Sequence, residues 1–169
     1  MSNTKTTTAV FDTRIEAETA LRKLEHAGFT QKEITLLVTE ETRGKHFGIK
    51  ENTQAEAGAA TGAALGGVAG AILLGLASAG TLLVPGLNLV VSGALVGGLM
   101  GLGAGAATGG LVGTLVGLGI PEHEAKLYED SVRKGSILIA VESKDDDTAG
   151  RIKTILKEAN AHDVTSRAA

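Results

Sequence analysis

The chain has 169 residues, a formal net charge of −3 and 24 glycines, but no cysteine, no tryptophan, one tyrosine and three phenylalanines. Without cysteine there are no disulfides, thiolate zinc sites or cysteine nucleophiles, and the absence of a long like-charged run speaks against nucleic acid as a partner. With so few aromatics, any core has to be filled by Ala, Val, Leu and Ile. Met1 to Thr8 contains no apolar segment and no cleavage signature, so the termini are expected to remain in the cytoplasm, a reducing compartment that suits a cysteine-free chain.

Thr7 to Phe11 is β-rich and runs into Asp12 and Thr13, where Thr13 with Glu16 reads as a capping box. Ala17, Ala20, Leu21, Leu24 and Ala27 follow at helical spacing, and Gly28 stands where a helix stops. Ile34 to Thr39 is a short apolar run rich in β-branched residues. This β–α–β unit predicts two parallel strands joined by a right-handed crossover. Glu40 to Glu56 is polar, mixed in charge and broken by Gly44 and Gly48, and reads as a connector.

Ala57 to Pro121 contains no charged residue. Gly58, Gly62, Gly66 and Gly70 lie four apart, and Gly93, Gly97, Gly101, Gly105, Gly109, Gly113 and Gly117 repeat the spacing. Four residues is close to one helical turn, so each series predicts a side-chain-free stripe on one helix face. Leu83-Val84-Pro85-Gly86-Leu87-Asn88 is the expected bend, leaving roughly 24 residues before it and roughly 30 after, against the ~20 needed to cross a bilayer core. If exposed to water, these glycines would weaken their helices by about 10 kcal/mol relative to alanine. Close backbone approach between helices offsets such a loss, as in small-xxx-small packing.

After the insert, Pro121 opens a helix with Ala125, Tyr128 and Val132 on one face, closed by Gly135. Ser136 to Glu142 is a strand, apolar on both parities from Ile137 to Val141 and therefore covered on both faces. Ser143 with Asp146 reads as a second capping signal. The next helix buries Ala149, Ile152, Ile155, Leu156 and Ala159, and Asp163 to Ser166 forms a last edge strand.

The expected fold class is α+β: a ferredoxin-like α/β sandwich, βαβ plus αβαβ, interrupted by a long glycine-zipper helical hairpin that crosses the membrane. Its parts are the N-terminal half at 1–50, the hairpin at 51–120 with its bend near 84–88, and the C-terminal half at 121–169. Neither half has enough strands to stand alone, so the two must pair. That pairing is expected to bring Thr39 and Pro121 to one side of the domain. Both termini then face the cytoplasm, which Arg43, Lys45 and Lys50 at the hairpin entry favour. These cations are also candidates for contact with anionic lipid head groups.

The strand ending in Val10-Phe11-Asp12, the helix closing in His26-Ala27-Gly28-Phe29, the glycine zipper, Gly119-Ile120-Pro121-Glu122-His123-Glu124-Ala125 and Gly135-Ser136-Ile137-Leu138-Ile139-Ala140-Val141 occur in an order that resembles the bacterial general stress protein, or heat-induced stress protein, family. The resemblance spans nearly the whole chain. It implies a stress-associated, membrane-linked or assembling protein, and it carries over no catalytic residue.

No catalytic, metal or cofactor site is expected. His26, His46, His123 and His162 are scattered without metal-ligand spacing. Glu122, Glu124, Asp145, Asp146 and Asp147 sit at helix starts, where capping and the helix dipole explain them. The glycine run lacks the Gly-Lys-Ser/Thr ending of a phosphate loop. The leading functional expectation is a non-enzymatic membrane protein that associates with copies of itself through its glycine faces. A soluble homo-oligomer that buries the hairpins in the cytoplasm, a pore lined by hairpins, and a ligand-sensing ferredoxin-like module are the alternatives.

Overall fold

The computed structural model describes residues 4–30, 32–39, 41–42, 82–84, 89–93, 111–113, 115–116 and 120–168. They form β1 (Lys5–Phe11), α1 (Arg14–His26), β2 (Ile34–Thr39), β3 (Leu82–Val84), β4 (Leu89–Gly93), α2 (Glu122–Arg133), β5 (Ile137–Ser143), α3 (Asp146–Glu158) and β6 (His162–Ala168).

Local chemistry accounts for the helix ends. Thr13 accepts the Glu16 N–H while the Glu16 carboxylate accepts the Thr13 N–H at 3.2 Å, a reciprocal cap that fixes the start of α1. Gly28 and Gly135 follow α1 and α2 at φ of +95° and +103°, a region in which a side chain is strained. α3 is capped by Asp145, whose carboxylate accepts the Thr148 N–H at 2.6 Å. Ser143, expected in that role, instead belongs to β5 and donates to the Lys5 carbonyl.

The strands form one sheet in the order β3-β4-β2-β5-β1-β6, with every neighbouring pair antiparallel. β5 lies between β1 and β2, pairing Val141 with both Thr7 and Ile34. β1 and β2 therefore run parallel, as the β–α–β unit predicts, but they are not neighbours. The N- and C-terminal halves complete one sheet.

Strand parity separates two cores. On one face Ala9, Phe11, Leu36, Ile137, Ile139 and Val141 meet Leu21 and Leu24 of α1 and Ile152 and Leu156 of α3. On the other, Val10, Leu37, Val91 and Leu138 meet Ala125, Tyr128 and Val132 of α2, together with Leu111, Leu115 and Ile120. Each large aliphatic side chain removed from water this way contributes about 1.5–3 kcal/mol. The two-sided apolar pattern of β5 follows directly, because both of its faces are covered.

Two expectations are corrected. Residues 82–84 and 89–93 are strands rather than the inner ends of two helices. Leu82-Leu83-Val84 and Leu89-Val90-Val91 are apolar on both parities and rich in valine, and β2 offers an edge whose backbone groups need partners. β4 takes that edge, pairing Thr39 with Leu89 and Thr35 with Gly93, and β3 pairs with β4. β3 and β4 are antiparallel neighbours, and Pro85-Gly86, the expected bend between them, lies outside the described residues. A bilayer-spanning hairpin would hold that bend a membrane's thickness from the sheet, whereas both strands flanking it are in the sheet.

The second correction concerns the ends of the insert. Thr39 lies at the end of the sheet where Gly135 closes α2, and Thr42 donates to the Gly135 carbonyl at 3.4 Å. Pro121 begins α2 at the opposite end, where Glu124 meets Arg167. The chain re-enters along the second face, through Leu111, Leu115 and Ile120, so entry and exit are not side by side. Among the described residues, no helix is long and apolar enough to cross a membrane.

Candidate functional site

Of the glycines expected to mediate packing, two lie among the described residues. Gly93 ends β4 opposite Thr35, and Gly113 is in a helical turn covering 111–113. Gly58, Gly62, Gly66, Gly70, Gly97, Gly101, Gly105, Gly109 and Gly117 lie outside them, as do Arg43, Lys45 and Lys50. The C-terminal end of the glycine-rich stretch is anchored in the domain. Leu111 and Leu115, one helical turn apart, are buried with Ile120 against α2 and β2, and the Ile120 N–H donates to the Leu115 carbonyl at 3.1 Å.

A polar cleft of about 560 Å³ opens where β1 and β2 end and α2 stops, lined by Asp12, Thr39, Glu41, Thr42, Ser131, Arg133, Lys134, Gly135 and Ser136. Several of its groups are partnered, either across the cleft or within α2. Thr39 Oγ1 accepts the Thr42 N–H at 3.0 Å, Ser131 donates to the Leu127 carbonyl, and Arg133 is held by Glu129 at 2.7 Å. Ser136 donates to one Asp12 oxygen at 3.1 Å, and His162 Nε2 lies 3.4 Å from the other. Serine, aspartate and histidine thus converge from three distant parts of the chain. The carboxylate stands in the middle, however, so the imidazole does not touch the hydroxyl it would have to deprotonate in nucleophilic catalysis. Sequence spacing gives no hint of this cluster, which exists only because β1, β5 and β6 are neighbours.

At the other end of the domain, Glu124 of α2 receives Arg167 of β6 at 2.6 Å. Between the two ends, the Tyr128 hydroxyl donates to the Asp163 carbonyl at 3.1 Å and lies 3.1 Å from Thr8 Oγ1. These contacts tie α2 to the β1–β6 side of the sheet. Among the described residues, no group of three or more His, Cys, Asp or Glu side chains is arranged to hold a metal ion.

Two carboxylates are shifted in opposite directions. Burial and the neighbouring Glu33 raise Glu142 above its ordinary value of 4.5. Hydrogen bonds from Thr148 hold Asp145 below its ordinary 3.8. A raised acid favours the fold below its unfolded value, and that contribution is lost as pH climbs through the folded value; for a depressed acid the contribution is present above the unfolded value and lost as pH falls. Glu142→Gln is therefore expected to raise the melting temperature at pH 7, with the gain vanishing toward pH 4. Asp145→Asn is expected to lower it at pH 7, with the loss fading in stronger acid. Thermal denaturation of both variants across that range checks the signs, and a gain for Glu142→Gln that grows on acidification contradicts them.

No protein-family model matches the chain, and no curated protein and no solved structure matches it either.

Proposed function

We propose that this protein is a non-enzymatic structural protein that assembles with copies of itself through its glycine-rich stretches, and that its sheet domain is a ferredoxin-like fold serving as the anchor. The fold reading is supported by the order β2-β5-β1-β6 with α1 and α3 on one face, to which β3, β4 and α2 are additions. The assembly reading rests on one observation: a charge-free stretch whose glycines recur every fourth residue. That spacing sacrifices helix stability, and a second helix surface at close range is what offsets the loss.

The membrane remains the proposed surrounding, favoured by the absence of charge from Ala57 to Pro121, with Arg43, Lys45 and Lys50 toward anionic head groups. Because β3 and β4 are held in the sheet, insertion would proceed from the cytoplasmic side without carrying the 84–88 bend across. The stress-associated role is proposed from the family resemblance.

Gly101→Leu combined with Gly105→Leu is the test, since two leucines prevent close approach of the second glycine series. The wild-type protein is expected in an oligomer and in the membrane fraction, more abundantly after a heat shift, and the variant is expected to fall to a smaller size by light scattering. An unchanged oligomer size contradicts the glycine-packing reading. Carbonate washing reads the surroundings separately: large particles remaining in the soluble fraction would favour the buried-hairpin assembly over lipid.

A further inference from the structure

β6 is an open edge. It has β1 on one side and no strand on the other among the described residues, and its seven residues contrast with the three of β3 at the opposite edge. The helices cover its faces: α3 packs on β6 as it does on β1 and β5, and α2 reaches β6 from the other face through Tyr128–Asp163 and Glu124–Arg167. An exposed strand edge presents unpaired N–H and C=O groups and is either guarded against pairing or used for it. β6 carries neither proline nor lysine. Its irregularities, a register shift opposite Thr8 to Val10 and the positive φ of Asp163, are confined to its start. From Thr165 to Ala168 its register with β1 is unbroken.

We propose that this edge pairs with the same edge of a second copy, antiparallel about a two-fold axis at Thr165. A two-fold contact must be self-complementary, and the β6 sequence is so in this register. Thr165 of one copy faces Thr165 of the other, Val164 faces Ser166, and the irregular start of each strand, which carries Asp163, lies beside the end of the other, which carries Arg167, twice over. Centring on Val164 leaves Asp163 opposite Thr165, and centring on Ser166 sets Arg167 opposite Thr165, so both neighbouring registers lose the charge pairs. Cross-strand pairs of opposite charge stabilise an antiparallel register, as do facing threonines. Arg167 can serve both roles, since its guanidinium has several donors and its side chain is 48% exposed while one nitrogen holds Glu124. The resulting sheet runs continuously through two copies, an interface separate from the glycine faces and independent of them.

The cysteine-free chain makes a clean test. Thr165→Cys is expected to oxidise to a disulfide-linked dimer as its main product, while Ile15→Cys, exposed on α1, stays monomeric. Arg167→Glu in the Thr165→Cys chain is expected to reduce cross-linking several-fold, and Glu124→Gln, which removes the intrachain partner of Arg167, to leave it unchanged. Cross-linking should also survive Gly101→Leu with Gly105→Leu, so failure of the glycine interface and failure of this one are read separately. A Thr165→Cys chain that stays monomeric, or whose cross-linking ignores Arg167→Glu, overturns the proposal. Cross-linking lost with the glycine substitutions overturns its independence.

Discussion

Leu115→Asp is expected to destabilise the sheet domain by about 3–5 kcal/mol, whereas Val116→Asp, one residue further on, should change stability by no more than about 0.5 kcal/mol. Leu115 is 1% exposed in the core beneath α2, and Val116 is 42% exposed. Burying a carboxylate there removes the leucine's contacts and leaves a charge without a partner among Val10, Leu37, Val91 and Leu138, and the group escapes by protonating or by unfolding the region. The pair of substitutions also locates the end of the glycine-rich stretch. If residues 111–116 lay in a lipid-embedded helix instead, aspartate at either position would impair insertion and leave the water-soluble domain's unfolding unchanged. Denaturant unfolding followed by circular dichroism, with wild type and both variants in parallel, decides the matter. Equal, small losses for the two would show that Leu115 does not dock in the domain.

Tyr128 is the second position at which a large effect is expected. It is the largest fully buried side chain, and its hydroxyl sits between the Asp163 carbonyl and Thr8 Oγ1. A carbonyl only accepts, so the single phenolic proton goes to Asp163 and the Thr8 hydroxyl donates to the tyrosine oxygen. Tyr128→Phe leaves both partners without that bond; the alternative acceptor for Thr8, the Thr165 carbonyl, is at 3.5 Å, the limit of a hydrogen bond. The expected loss is about 1–2 kcal/mol for Tyr128→Phe and about 3–5 kcal/mol for Tyr128→Ala, which also empties the site beneath α2. Thr8→Val with Tyr128→Phe should cost less than the sum of the two single changes, because each removes the same bond. Additive losses would mean that the hydroxyls do not interact.

Much of the sheet domain was legible from residue pattern. The capping box at Thr13 and Glu16, the stop at Gly28, the strand at Ile34 to Thr39, the buried face of Ala125, Tyr128 and Val132, and the two-sided character of Ile137 to Val141 are local signals, set by backbone hydrogen bonding and by side-chain period. They required only the neighbouring residues. The Ser136–Asp12–His162 cluster and the link from Tyr128 to Thr8 and Asp163 carry no local signal, since their members are distant in sequence and meet only through the strand order. The antiparallel contacts of β5 with both β1 and β2 depend equally on which strands find each other.

The clearest difference between the two levels is the stretch from Leu82 to Gly93. Read alone, Gly93 is in step with a helical glycine series, and the apolar residues before it fit a helix or a strand equally well. What decides is the outer edge of β2, whose N–H and C=O groups need partners and find them in β4. The sequence by itself determined that this region is uncharged, carries the turn-forming pair Pro85-Gly86 and has glycine every fourth residue on either side, because those are properties of composition and spacing. Only the tertiary structure decided that the strands flanking that pair belong to the sheet and that Leu111, Leu115 and Ile120 cover its second face, because hydrogen bonding to a distant edge and burial under a distant helix outweigh a local period.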